Sequence, residues 1–216
     1  MIAELVAVSV GRSREVEWDG EVVRTSIFKT PVAGRVWVGS TNIVGDDQSD
    51  RSVHGGPDKA VYAYPSEHYA AWMRELSLET LAWASFGENL TTRGLRESVV
   101  NIGDRFRIGS AELIVTQPRM PCFKLGIRFG RSDIIARFTS VDRSGFYLAV
   151  EQEGEIGAGD AVDIIEADTR GLSVAEAYRL KLGGGTRDRL KLAASHPALS
   201  AGWRESFKRR LDEFGA

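Results

Sequence analysis

Apolar and polar positions alternate through most of the first two thirds of the chain, in short runs cut by Gly, Asp, Asn and Pro. This pattern, rich in Val, Ile, Phe and Tyr, predicts strands over 2–10, 21–28, 34–38, 60–64, 98–101, 104–108, 111–115, 147–150 and 162–165. Many short strands with turn signals between them predict a barrel-like or sandwich sheet. Helical patterns interrupt the strands at 66–76, where Ser66 follows Pro65 and is placed as an N-cap, and at about 131–138. The run Asn101-Ile102-Gly103-Asp104-Arg105-Phe106-Arg107-Ile108 is echoed by Gly157-Ala158-Gly159-Asp160-Ala161-Val162-Asp163-Ile164. Each reads as a Gly-Asp turn launching an alternating strand, a recurring turn and not a repeat architecture.

Beyond Asp168 only helical patterns remain. Ser173-Val174-Ala175-Glu176 has the form of a capping box, and the helix it opens runs to Leu182, where Gly183-Gly184-Gly185 stops it. Two further helices follow at about 187–194 and 201–214, divided by His196-Pro197. Helices this short are marginal alone, so they must pack on one another or on the sheet. The predicted fold is α+β, with a mainly β-barrel-like domain over 1–167 and a three-helix C-terminal domain over 168–216.

Composition sharpens this division. With 216 residues and 43% hydrophobic content the chain can bury a real core. The net charge of −2 argues against a surface that coats nucleic acid, but the charge is uneven. Residues 168–216 hold 10 Lys+Arg against 6 Asp+Glu, whereas residues 1–167 hold 18 against 24. The basic tail suits nucleic acid, an acidic protein partner or, as the interleaved acids favour, an ordinary solvated helical surface. No run approaches the roughly 18 apolar residues a membrane span needs. The N-terminus Met1-Ile2-Ala3-Glu4 has no basic start or long apolar run, and one cysteine allows no internal disulfide, so a cytoplasmic protein is expected.

That cysteine is Cys122, in the run Gln117-Pro118-Arg119-Met120-Pro121-Cys122-Phe123-Lys124. Nearby fixed positive charge, here Arg119 and Lys124, lowers a thiol pKa from its unperturbed value of about 8.5 and favours the reactive thiolate. The local residues leave two readings open, a reactive thiol or a small buried hydrophobe. A second unusual segment is His54-Gly55-Gly56-Pro57-Asp58-Lys59-Ala60. Gly55 and Gly56 allow close backbone approach to a ligand, Pro57 sets the turn, and Lys59 can reach an anion. The third is Phe86-Gly87-Glu88-Asn89-Leu90-Thr91-Thr92, which offers the neutral hydrogen-bonding groups of Asn89 and Thr91. Each segment alone also reads as a tight turn. None is a Walker loop or a dinucleotide fingerprint, and His54, His68 and His196 show no zinc spacing. His68 reads as a surface residue and His196 as a cap or turn residue.

Together, the order His-Gly-Gly-Pro-Asp-Lys-Ala at 54–60, Phe-Gly-Glu-Asn-Leu at 86–90, Gly-Asp-Arg-Phe at 103–106 and Gln-Pro-Arg-x-Pro-Cys-x-Lys at 117–124 resembles a MOSC domain of the YiiM-like type. The resemblance covers most of the chain, because YiiM-like proteins also carry a C-terminal three-helix domain. It implies a molybdenum cofactor (molybdopterin) whose metal is bound by Cys122, a soft sulfur ligand in a sulfur-rich site. Lys59, Arg119 and Lys124 become candidates for the cofactor's phosphate, and Asn89 and Thr91 for neutral contacts to the pterin.

The implied activity is reduction of N-hydroxylated compounds such as hydroxylaminopurine-type base analogues; from polarity and position only, His54 or Asp58 is the candidate proton source. One cysteine cannot hold an iron–sulfur cluster and no flavin fingerprint is present, so electrons are expected from an external flavoprotein. Arg204, Lys208, Arg209 and Arg210 are candidate docking residues for that donor. A competing reading makes Cys122 a sulfur carrier loaded by a pyridoxal-phosphate-dependent cysteine desulfurase. A third is a non-catalytic cofactor- or partner-binding module; a metal-free cysteine hydrolase ranks last, for want of an arguable His and acid partner. Trp37, Tyr62, Phe123 and Tyr147 are available to stack on a purine or to fill the core. Pairing of sheet edges into a homodimer and cover of those edges by helices both remain open.

Overall fold

The computed structural model describes residues 3–49 and 55–213. In chain order the strands are β1 (Glu4–Val10), β2 (Arg14–Trp18), β3 (Glu21–Thr25), β4 (Thr30–Pro31), β5 (Arg35–Gly39), β6 (Asn42–Ile43), β7 (Val61–Pro65), β8 (Leu90–Arg93), β9 (Arg105–Ile108), β10 (Ala111–Pro118), β11 (Phe146–Gln152), β12 (Gly154–Gly157) and β13 (Val162–Glu166). The α-helices are α1 (Tyr69–Leu76), α2 (Phe123–Phe129), α3 (Ile134–Thr139), α4 (Val174–Lys181), α5 (Arg187–Ser195) and α6 (Ala201–Glu213).

Eight strands form one sheet in the order β13-β9-β10-β11-β7-β8-β1-β4, antiparallel except for the parallel pair β7–β8. The sheet curls until β1 meets the start of β13 through the bridge Glu4–Ala161 and the bonds Leu5 N to Asp160 O and Val162 N to Ala3 O, each 2.9 Å. The contact is a bridge and not a continuous ladder, so the fold is barrel-like without being a closed barrel. Every residue of β7 is buried, as expected for a central strand with a parallel neighbour. A small sheet, β12-β5-β6, and a separate β2–β3 hairpin flank it.

The Gly-Asp echo is one turn used twice. Asp104 accepts from Asn101 N at 2.7 Å, and Asp160 accepts from Gly157 N at 2.9 Å. The strands launched, β9 and β13, pair with each other.

Several expectations need correction. Residues 98–101 form no strand, because their backbone turns and Asn101 contributes only an isolated bridge to Ser173. Ser66 lies inside a short 3-10 turn, Ser66–His68, and makes no capping bond. Ser173 does cap α4, accepting from Glu176 N at 3.1 Å, while Glu176 itself pairs with Arg189. His68 is not a surface residue: only 13% of its side chain is exposed, and its ring stands 2.7 Å from the buried Glu97.

The core has two parts. The larger runs from Leu5, Leu113 and Phe146 of the sheet into Ala177 and Leu180 of α4, Leu190 of α5, and Trp203 and Phe207 of α6. The short C-terminal helices therefore gain their stability by packing on the sheet, as their length requires. The smaller part is aromatic, with Tyr64 stacked on Phe86 at 4.5 Å and Trp72 on Phe138 at 5.9 Å. Such pairs each add about 0.5–1.5 kcal/mol beyond area burial. α1 contributes Tyr69, Trp72 and Leu76, the apolar stripe of an amphipathic helix.

Candidate functional site

The site lies where strand ends converge. β10 is alternately buried at its start and wholly buried over Val115–Pro118, which brings Arg119 and Cys122 to the edge of the core. β7 is entered from a 3-10 turn, Pro57–Lys59, with Pro57 at its first position. Thr116 Oγ1 pins that turn to β10 by donating to the Asp58 carbonyl at 2.6 Å. Gly56, at φ 86°, occupies the left-handed region that favours glycine.

A cleft opens there. It is lined by Gly55, Lys59, Tyr62, Arg119, Cys122, Lys124 and Tyr147, together with Thr25, Ser26, Lys29, Asp46, Asp47, Gln48 and Ser49, and with Gly87 and Asn89. Three segments remote in sequence thus meet in one place.

The anticipated residues fall into different positions. Lys59, Arg119, Cys122, Lys124, Gly55 and Asn89 all line the cleft. Burial depresses the Lys59 pKa, with the Asp58 charge opposing. Asp58 and Gly56 are not among the lining residues, and the Asp58 side chain is exposed. Thr91 is fully buried beneath the cleft, its hydroxyl donating to Glu88 at 3.2 Å. Asn89 accepts from Tyr62 N at 3.2 Å and donates to Asp46 at 2.8 Å, so it organises the wall. His54 lies outside the described residues. Of the aromatics, Tyr62 and Tyr147 line the cleft, Phe123 is exposed beside Cys122, and Trp37 stands on β5.

Arg119 is the most informative residue. It is 6% exposed, with its guanidinium carbon 4.9 Å from the Tyr62 ring centre and 5.4 Å from that of Phe138. Its Nη1 is buried without a hydrogen-bond partner. A buried guanidinium cannot shed its charge, and Tyr62 and Tyr147 satisfy only part of its donor set, so Arg119 is a candidate anchor for an anionic ligand in the cleft it lines. Electrostatic attraction also couples Arg119 to Cys122.

Two features escaped sequence reasoning. Glu88 is fully buried and accepts from Tyr69 Oη, Ala84 N (3.0 Å), Phe86 N (3.1 Å) and Thr91 Oγ1; burial raises its pKa. It is the keystone of the 84–91 loop. The buried pair Lys29–Asp46 in the cleft lining was also missed. Seventeen residues separate these two, and no pattern in composition or spacing announces them.

Among the described residues no group of three or more His, Cys, Asp or Glu could hold a metal. A metal at Cys122 would have one protein thiolate and would need its remaining donors from an organic ligand; a sulfur-bearing cofactor with an anionic end would fit that donor set and the cations Arg119, Lys59 and Lys124 in the same lining.

Comparison with known proteins gives the family and the fold. Residues 50–163 match the MOSC domain, and residues 185–214 match the "YiiM-like, 3-alpha helix domain". The chain belongs to the MOSC-domain family, and within it to the YiiM-like type. It is 38% identical to "Uncharacterized protein YflK" of Bacillus subtilis (strain 168), covering 96% of this chain and 94% of that one. It superimposes on the crystal structure of YiiM from Geobacillus stearothermophilus with TM-score 0.82 and 36% identity, over 97% of this chain and 99% of that one. A protein named "Reductase" from Gibberella moniliformis (strain M3125 / FGSC 7600) is 32% identical over 82% of this chain, which spans 32% of that longer protein.

Proposed function

We propose that this chain is a molybdenum-cofactor-dependent reductase of N-hydroxylated compounds, including hydroxylaminopurine-type base analogues. The observation that carries the reading is the buried, under-bonded Arg119 sharing one cleft with the single thiol Cys122. When bound, the cofactor would supply the two-electron chemistry. Cys122 would be the protein's ligand to its metal, and Arg119, Lys59 and Lys124 would hold its phosphate. Ser26, Gln48 and Ser49, which also line the cleft, would offer neutral hydrogen-bonding groups, with Asn89 holding the lining in place. Tyr62 and Tyr147, their ring centres 5.2 Å apart, line the cleft with apolar ring surface.

Electrons would come from a separate flavoprotein. The fungal relative supports the reductase half of this reading through its name, "Reductase", the match filling about a third of that protein's length. Docking of that donor would use Lys208 and Arg209, which are exposed on α6. Arg204 and Arg210 are committed elsewhere, donating to the carbonyls of Pro197 and Leu199 and of Leu180 and Gly183 respectively.

The test is metal analysis of protein from a cofactor-competent host, with reduction of an N-hydroxylated purine by an artificial electron donor. About one molybdenum per chain, lost together with activity in Cys122→Ser, is expected. Persulfide on Cys122 with no molybdenum and no reduction would overturn the reading in favour of a sulfur carrier fed by a cysteine desulfurase.

A further inference from the structure

We propose that Lys29, held by Asp46, is the acid of the cleft, donating a proton to the oxygen of the N-hydroxylated substrate as the N–O bond breaks; this rests on the reductase reading. The two residues line the same cleft as Arg119 and Cys122. Lys29 is 9% exposed and Asp46 3%. A buried ion pair is costly to desolvate and stabilises little in comparison with apolar packing, so its presence in a cleft wall calls for an explanation.

The hydrogen-bond accounting supplies one. Asp46 is fixed from three sides: Gly11 N donates to Oδ1 at 2.8 Å, Asn89 Nδ2 donates to Oδ2 at 2.8 Å, and Lys29 Nζ contacts both oxygens. An ammonium has three N–H donors. Among the described residues Lys29 makes no hydrogen bond beyond Asp46, so its remaining donor is available to whatever fills the cleft. Asn89 is in turn locked to Tyr62 N and to Ser9 O (3.3 Å), which sets the carboxylate, and through it the ammonium, in one geometry.

Burial pushes the Lys29 pKa down, making it a stronger acid than an exposed lysine. Asp46, Glu88 and Asp47 oppose that shift and keep the proton in place. Among the described residues, Lys59, Arg119, Lys124 and Cys122 are the other titratable groups in the cleft lining besides these acids and the tyrosines. Conversion of R–NH–OH to R–NH2 and water consumes two electrons and two protons. The flavoprotein donor provides the electrons, Lys29 provides the proton that turns the departing oxygen into water, and solvent provides the proton on nitrogen. Lys29, left as a neutral amine, is reprotonated from solvent.

The test uses full-length protein carrying its cofactor. The Lys29 side-chain signal is followed by NMR through a pH titration, in wild type and in Asp46→Asn, with and without an N-hydroxylated purine and with no electron donor present. We expect Lys29 to titrate below the ordinary lysine range, its acidity constant to rise at least a further tenfold in Asp46→Asn, and the purine to move the signal. Lys29→Met should keep wild-type molybdenum per chain yet lose roughly 10²–10⁴-fold in reduction rate, the scale of general acid catalysis. If that variant does not fold, the neutral pair Lys29→Met/Asp46→Asn replaces it. Wild-type rate and pH profile in either variant, or a Lys29 signal indifferent to the purine, overturns this inference alone. Wild-type protein that binds no molybdenum or reduces nothing overturns both readings.

Discussion

Two glycines with nearly the same backbone conformation provide a controlled test of how the strand ends hold the cleft. Gly145 has φ 62° and Gly130 φ 63°, so an alanine at either pays the same left-handed penalty, roughly 1 kcal/mol. Their surroundings differ. A Cβ on Gly130 meets nothing within 4 Å, whereas one on Gly145 would stand 2.5 Å from the Ala63 carbonyl oxygen and 2.8 Å from ring carbons of Tyr62 and Tyr64. The carbonyl belongs to the wholly buried β7 and cannot move aside cheaply. Overpacking of this kind costs a further 1–3 kcal/mol or so. Gly145→Ala should therefore be about 2 kcal/mol less stable than Gly130→Ala. Urea unfolding of the two variants and wild type measures this directly, provided the slopes agree. The effect should also reach the site, since Arg119 N donates to the Gly145 carbonyl at 3.4 Å. Equal midpoints for the two variants would refute the steric argument.

His196 joins the helices to the sheet, 1% exposed and 3.4 Å from Asp168. Burial lowers its pKa, so the folded state favours the neutral ring; its contribution is complete above the unfolded value of about 6.5 and fades as pH falls through the folded one. The stability gap between wild type and His196→Asn should narrow from pH 7.5 to 5.5, and denaturant titrations showing a wider gap at low pH would contradict this. Arg210→Ala, which strips charged donors from two helix-end carbonyls, should cost about 1–3 kcal/mol by thermal or urea unfolding. Lys208→Glu and Arg209→Glu should stay within about 0.5 kcal/mol of wild type, and thus serve as the clean charge reversal for donor docking.

Much of the fold was legible because its signals are local. Alternation located most strands of the main sheet, and Ser173 with the triple glycine bounded α4, since caps and side-chain periods depend on neighbours a few residues away. Strands as short as β4 and β6 were not legible, having too few residues to show a period. Nor was β8, whose Leu90-Thr91-Thr92-Arg93 reads as polar loop until burial between β7 and β1 makes it a strand. α2 was hidden behind the proline run that precedes it.

The site divides the same way. Its residue types were readable in the Gly-Gly-Pro-Asp-Lys, Gly-Glu-Asn and Arg-x-Pro-Cys segments, because glycine, proline and a lone thiol are chemically conspicuous wherever they stand. Their roles were decided by tertiary structure. Thr91 was drawn under the cleft by Glu88, Arg119 was stranded between two rings with a donor to spare, and Lys29 met Asp46 across seventeen residues. The sequence by itself determined which segments could carry chemistry and that helices would follow a curled sheet. Only the closing of that sheet decided which side chains face the cleft, because burial and hydrogen-bond accounting are properties of surroundings that no single segment contains.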